Sequence, residues 1–100
     1  MIMLLNNEEI TYLEKDGICT NLYFSNGDVM PIKRSLNEYE DAFCSNYSFF
    51  VRIDENYIVN IKHVDDIEKG EKSFLILDNG VKLSISQIKQ LHLQALMSDK

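Results

Sequence analysis

Phe50-Val51-Arg52-Ile53-Asp54-Glu55-Asn56-Tyr57-Ile58-Val59-Asn60 is the stretch that decides the fold class of this chain. Aromatic and β-branched residues fill its two ends, and Asp54, Glu55 and Asn56 separate them. Branched side chains fit a pleated surface and lose χ1 freedom in a helix, so both ends favour strands. Residues 49–54 are expected as one strand and residues 57–61 as a second, shorter one. The polar triplet then forms a solvated turn, with Asn56 placed to cap local backbone groups.

Working outward, turn signals dominate. Asp16-Gly17, Asn26-Gly27 and Asn79-Gly80 each lie between short apolar runs, and Lys69-Gly70 is a weaker mark of the same kind. Asn and Asp followed by Gly tolerate the positive φ of tight primed turns, so hairpins are expected at all three strong marks. The flanking strands are residues 10–15, 18–25, 29–33, 63–69, 73–77 and 81–85. Alternation is partial: Ile18, Thr20, Leu22 and Phe24 share one parity, as do Val81, Leu83 and Ile85. That pattern gives antiparallel sheets with one buried and one wet face. Pro31 inside a strand pattern points to an edge strand. Two helices interrupt the strands. Ser35-Leu36-Asn37-Glu38 is a capping box, followed by Leu36, Tyr39 and Phe43 at helical spacing. A second helix is expected from about Ser86 to Met97, with Ile88, Leu91, Ala95 and Leu96 as its apolar stripe.

One hundred residues, 45% of them apolar, suffice for one modest core and argue against disorder. Met1–Leu5 is apolar but followed at once by Asn6, Asn7, Glu8 and Glu9, which fits a first strand and not a signal peptide. A cytoplasmic protein with no membrane segment is expected. Cys19 and Cys44 lack CxxC spacing and read as two free buried thiols. The net charge of −6 is unusual for a nucleic-acid binder, but the local field at a contact surface matters more than the total. The charge is uneven: residues 28–68 sum to −5 and residues 69–100 to +2.

No catalytic constellation appears. His63 and His92 have no HxxxH or HExxH spacing, and GxGxxG, GxxxxGKS and GxSxG are absent. Asp65-Asp66 and Glu40-Asp41 read as solvated acids. Phe49-Phe50 reads as core, since the aromatic strand motif of RNA-recognition sheets is missing. The chain is expected not to be an enzyme and to need no cofactor or metal.

Residues 50–60 resemble the signature of the LytTR DNA-binding domain family of bacterial transcription regulators, which typically reads F-x-R-I-H-R-S-Y-I-V-N. Other blocks follow in family order. Ile10-Thr11-Tyr12-Leu13-Glu14 resembles the opening strand. Residues 32–40 resemble the strand-to-helix passage, and residues 77–86 the final hairpin, which usually ends L-P-V-S-R-R. The likeness covers about residues 8–91. It implies a mainly β, elongated fold of three small antiparallel sheets, with one short internal helix and a C-terminal helix, in a single domain over residues 1–100. Such domains read DNA with loops that enter successive major grooves of a bent duplex, a few side chains touching bases and the rest phosphates.

Carried over by position, the resemblance assigns three reading loops: one at Thr20, one at Asp54-Glu55-Asn56 in place of His-Arg-Ser, and one at Gln87 in place of the first Arg after Val-Ser. Lys33, Arg34, Lys62 and Lys89 are the nearby candidates for phosphate contacts. Glu55 departs from the pattern: it can only accept, for instance from cytosine N4, and Asp54 adds a second negative charge. Gln87 can pair with adenine but lacks the cation. Two functions of different class follow. One is a regulator binding duplex DNA, alone, as a homodimer or with a related regulator. The other is a module of the same fold that has lost DNA binding and works through protein contacts. Whether the chain stands alone or is part of a longer protein is left open by Met1.

Overall fold

Nearly every alternating segment becomes a strand. A computed structural model describes residues 7–98, so the first strand expected at residues 1–5 lies outside the described residues. Eight strands are present among the described residues: β1 (Ile10–Asp16), β2 (Cys19–Phe24), β3 (Val29–Ile32), β4 (Phe50–Arg52), β5 (Tyr57–Asn60), β6 (Val64–Glu68), β7 (Ser73–Leu77) and β8 (Lys82–Ile85). Two helices accompany them, α1 (Leu36–Tyr39), which widens into a π-helical turn over Glu40–Cys44, and α2 (Gln87–Ser98). The strands make two antiparallel sheets, not the expected three: β3-β2-β1-β5-β4 and β6-β7-β8. The merger has a simple cause. β1 pairs β2 along one edge and β5 along the other, so the 10–32 meander and the 50–60 hairpin fuse into one sheet.

The chain divides into two compact units, one through Lys62 and one from His63. In the first, one face of the five-stranded sheet carries Ile10, Leu13, Leu22, Phe50 and Ile58, with Leu36, Tyr39 and Phe43 from the α1 segment in the same core. Burying an aliphatic side chain of this kind contributes about 2 kcal/mol. Ile10 and Leu13 have odd spacing and would face opposite ways in a regular strand. A bulge between Ile10 and Tyr12 takes up Thr11 and brings both to the core face. Ser35 caps α1 by accepting from the Glu38 amide at 3.2 Å. The expected box is half made, because the Glu38 carboxylate takes a bond from Arg34 Nη1 instead.

The three strong turn marks resolve into two designs. Asp16 pairs Cys19, so Gly17 and Ile18 are the two turn residues; Gly17 has φ 62° and no non-glycine residue among those described has positive φ, which defines a type II′ turn. The two Asn-Gly marks are not two-residue turns. Phe24 N donates to Asp28 O and Leu77 N to Val81 O, so each hairpin closes over three residues, with Gly27 and Gly80 at positive φ. Asn26 and Asn79 each accept from the backbone amide two residues on. β3 is an edge strand, as Pro31 indicates. The Phe24–Asp28 bond fixes the pairing parity, and it turns position 31 outward, where no neighbouring strand needs the amide that proline lacks.

In the second unit, Ser73, Leu75, Leu77, Leu83 and Ile85 alternate inward from β7 and β8. α2 buries Gln90 and Leu93, and the Ser73 hydroxyl donates to the Gln90 side-chain oxygen. The expected stripe is therefore displaced. Leu91 and Ala95 are exposed, and the side chain of Ile88 lies outside the described residues. Cys19 and Cys44 are half-buried, less enclosed than expected. No helix among the described residues is long and apolar enough to cross a membrane.

Candidate nucleic-acid interface

The β1–β2 turn, the β3–α1 connection and the β4–β5 loop meet at one end of the five-stranded sheet. Register dictates this. Lys15 pairs Thr20, Thr20 pairs Ile32, and Glu14 pairs Tyr57. A bond of 2.8 Å from Lys15 N to Asn56 O ties turn and loop together. Lys15, Ile18, Lys33, Arg34, Glu55 and Asn56 therefore share that end.

The β4–β5 loop is built by its own polar residues. Asp54 Oδ1 accepts from the amides of Asn56 and Tyr57 at 2.7 and 2.9 Å, so Asp54 is the capping residue, a role expected of Asn56. The loop's other side is held by Arg52. Its Nε donates to Asp54 O at 2.6 Å and its Nη2 to Glu55 O at 2.8 Å. Its Nη1 reaches Asn37 Oδ1 and Glu40 Oε1, both at 3.0 Å. One planar guanidinium thus fastens the loop to the α1 segment.

Charges at this end largely neutralise each other. Lys15 Nζ lies 3.8 Å from Glu55, Arg34 3.2 Å from Glu38 and Arg52 3.0 Å from Glu40. Lys33 is exposed and belongs to no ion pair among the described residues. Exposed pairs contribute little to folding, so Lys15 and Arg34 can change partners at small cost.

The expected site residues separate into four groups. Lys33, Arg34, Glu55 and Asn56 gather as described. Thr20 is corrected: it is a strand residue, fully buried, whose hydroxyl donates to Arg34 O at 2.8 Å. It shapes the β3–α1 connection and has no surface to offer a ligand. Lys62 lies at the opposite end of the same sheet, beside the start of β1. It bonds Glu8 at 2.8 Å and sits over the Phe49 ring, and this contact holds the Glu8 carboxyl below its usual range. Gln87 and Lys89 belong to the second unit, in the first turn of α2. Ser86 caps that turn by accepting from Lys89 N at 3.1 Å. The side chain of Gln87 lies outside the described residues. The residues not expected from the sequence are Lys15, Ile18 and Arg52. A two-residue turn at Gly17-Ile18 would have marked the first two, since it leaves Ile18 at the corner.

The face of this sheet opposite Leu13, Leu22 and Ile58 carries Tyr12, Tyr23 and Tyr57. Tyr12 and Tyr23 stack at 4.2 Å, and the Tyr23 and Tyr57 hydroxyls both donate to Glu14, at 2.8 and 3.4 Å. All three phenols ionise above their ordinary value. Burial is the main cause for Tyr12 and Tyr57, and the bond to Glu14 for Tyr23. A phenol raised in the folded chain contributes stability below its ordinary value near 10, and loses it as pH climbs through the folded value. Denaturant midpoints are therefore expected to hold from pH 8 to 9.5 and to fall by pH 11. A Tyr57→Phe variant should show a smaller alkaline fall, and an equal fall would remove Tyr57 from the cause.

Among the described residues, no three His, Cys, Asp or Glu side chains come together as a metal site.

A mainly β domain that gathers polar loops at a sheet end, beside a short internal helix, belongs to the class of β scaffolds that present loops. The chain belongs to the LytTr DNA-binding domain family, whose model matches residues 1–98 and so spans both units. Its fold is similar to that of a LytTr DNA-binding domain from Bacillus cereus, with a TM-score of 0.72 and 25% identity over 89% of this chain and 81% of that one. It is also similar to the transcriptional regulatory protein LytR of Staphylococcus aureus strains COL and MW2, 35% identical over 54 residues. That match covers 52% of this chain and 21% of the relative, so the chain spans about a fifth of the length of these relatives.

Proposed function

We propose that this domain binds duplex DNA as the DNA-reading part of a bacterial transcription regulator. The sheet end described above supplies the contacts, through Lys15, Lys33 and Arg34, and the resemblance adds Gln87 and Lys89 as further candidates. The observation that carries the reading is family membership across 98 of the 100 residues, joined to a turn and a loop fixed side by side with Lys15, Lys33 and Arg34 around them. The acidic second loop is less of an obstacle than its sequence implies. Asp54 is occupied with two backbone amides, and Glu55 faces a lysine that a phosphate can claim.

Each cation neutralising one phosphate contributes about −0.9 to the slope of log affinity against log salt. Three such contacts, from Lys15, Lys33 and Arg34, predict a fall of roughly 40-fold between 50 and 200 mM salt, and Lys89 would steepen it. The check is a fluorescence-anisotropy titration against mixed-sequence duplex at both salt concentrations. Binding that ignores salt, or no binding at 50 mM, would defeat this reading and favour the protein-contact module.

A further inference from the structure

Ile18 is the most exposed large apolar side chain among the described residues, at 74%. It occupies the second corner of the type II′ turn between β1 and β2. Turn corners are ordinarily polar, and this β-branched residue gains no packing in return for its exposure. Its surroundings are charged, with Asp16 at the foot of the turn and cations close by, two of them paired with carboxylates. Lys15 lies just before the turn, and the Thr20 hydroxyl holds the Arg34 backbone against β2, with Lys33 before it. The Glu55 loop borders Lys15. A lone aliphatic tip flanked by charged side chains is a poor nucleus for a protein interface, whose core needs contiguous apolar area. It suits the thymine 5-methyl group, the apolar feature displayed in the major groove, with phosphates nearby for Lys15, Lys33 and Arg34.

We propose that Ile18 reads thymine, by packing its aliphatic side chain against the 5-methyl group when the turn enters the major groove. This inference rests on the DNA-binding reading of the same sheet end and adds the base that the turn selects. No charge is involved, so the contact changes sequence preference without changing salt dependence.

The test uses the whole chain and a duplex selected by it from a random-sequence pool. That duplex is remade with deoxyuridine replacing one thymine at a time, which removes only the methyl group. The expected result is a loss of about three- to fivefold at one thymine, the effect of burying one methyl. Ile18→Ser should bind the thymine and deoxyuridine duplexes equally, with its salt slope unaltered. Ile18→Val keeps an apolar tip and should keep the preference. Tolerance of deoxyuridine everywhere by the parent chain would overturn the inference while leaving DNA binding intact. So would undiminished sensitivity at the same thymine in Ile18→Ser. Failure of the parent chain to bind any duplex at 50 mM salt removes the DNA-binding reading, and this inference with it.

Discussion

Arg52→Ala is expected to be among the most destabilising single changes in the first unit. The Arg52 side chain is only 17% exposed and makes four polar contacts: two to loop carbonyls, one to Asn37 and one to Glu40. Removing it hands the Asp54 and Glu55 carbonyls to water and frees an acidic side chain. A loss of about 3 kcal/mol is expected for a partly buried, charge-assisted network, which lowers the thermal midpoint by roughly 12–24 °C in a domain of this size. Arg52→Lys should recover only part of it, because an ammonium cannot span the same fork. Amide exchange in residues 53–57 separates a loop effect from a general one: the loop amides should lose protection in Arg52→Lys while those of β1 and β2 keep theirs. A midpoint within 2 °C of the parent would show that the network is dispensable.

Glu55→Arg is expected to strengthen DNA binding more than any other single change at this sheet end. The Glu55 side chain is 83% exposed and touches the fold only through its 3.8 Å pair with Lys15, while its backbone carbonyl stays on Arg52. The substitution therefore costs under about 1 kcal/mol of stability. It removes a carboxylate, releases Lys15 and adds a cation that can donate to guanine or phosphate. One added phosphate contact at 0.1 M salt raises affinity on the order of 8-fold and steepens the salt slope by about 0.9. The same anisotropy titration reads both quantities. An unchanged slope would show that the loop does not face the duplex.

Most strand positions were legible because alternation and turn residues are local. The hairpin at 50–60, the edge position of Pro31 and the start of α1 at Ser35 all follow from short-range chemistry. The errors share a cause in long-range geometry. The bulge at Thr11 sets which side chains face the core, and no local pattern around Ile10 and Leu13 announces it. The α2 stripe was misplaced because three- and four-residue spacing fits several faces of a helix. Gln90, a polar residue, is buried through its bond to Ser73, seventeen positions away.

The candidate site shows the same division. The sequence placed Asp54, Glu55 and Asn56 in a loop, and family resemblance attached a role to them. Thr20 was carried over by position from the resemblance, yet its parity with Leu22 puts it in the core. Lys62 stands two residues beyond Asn60 in sequence, but the direction of β5 carries it to the far end of the sheet.

What the sequence determined alone is the inventory: where strands run, where turns fall, which family the signature resembles, and which residues are charged. Backbone propensity and side-chain alternation act over a few residues, so the chain states them directly. Only the tertiary structure decided that β1 pairs on both edges, that Arg52 is consumed in holding a loop, and that Ile18 stands exposed among charged side chains. Those outcomes depend on strand register and on which polar atoms meet across it, and hydrogen bonding over tens of residues is settled by packing of the whole sheet.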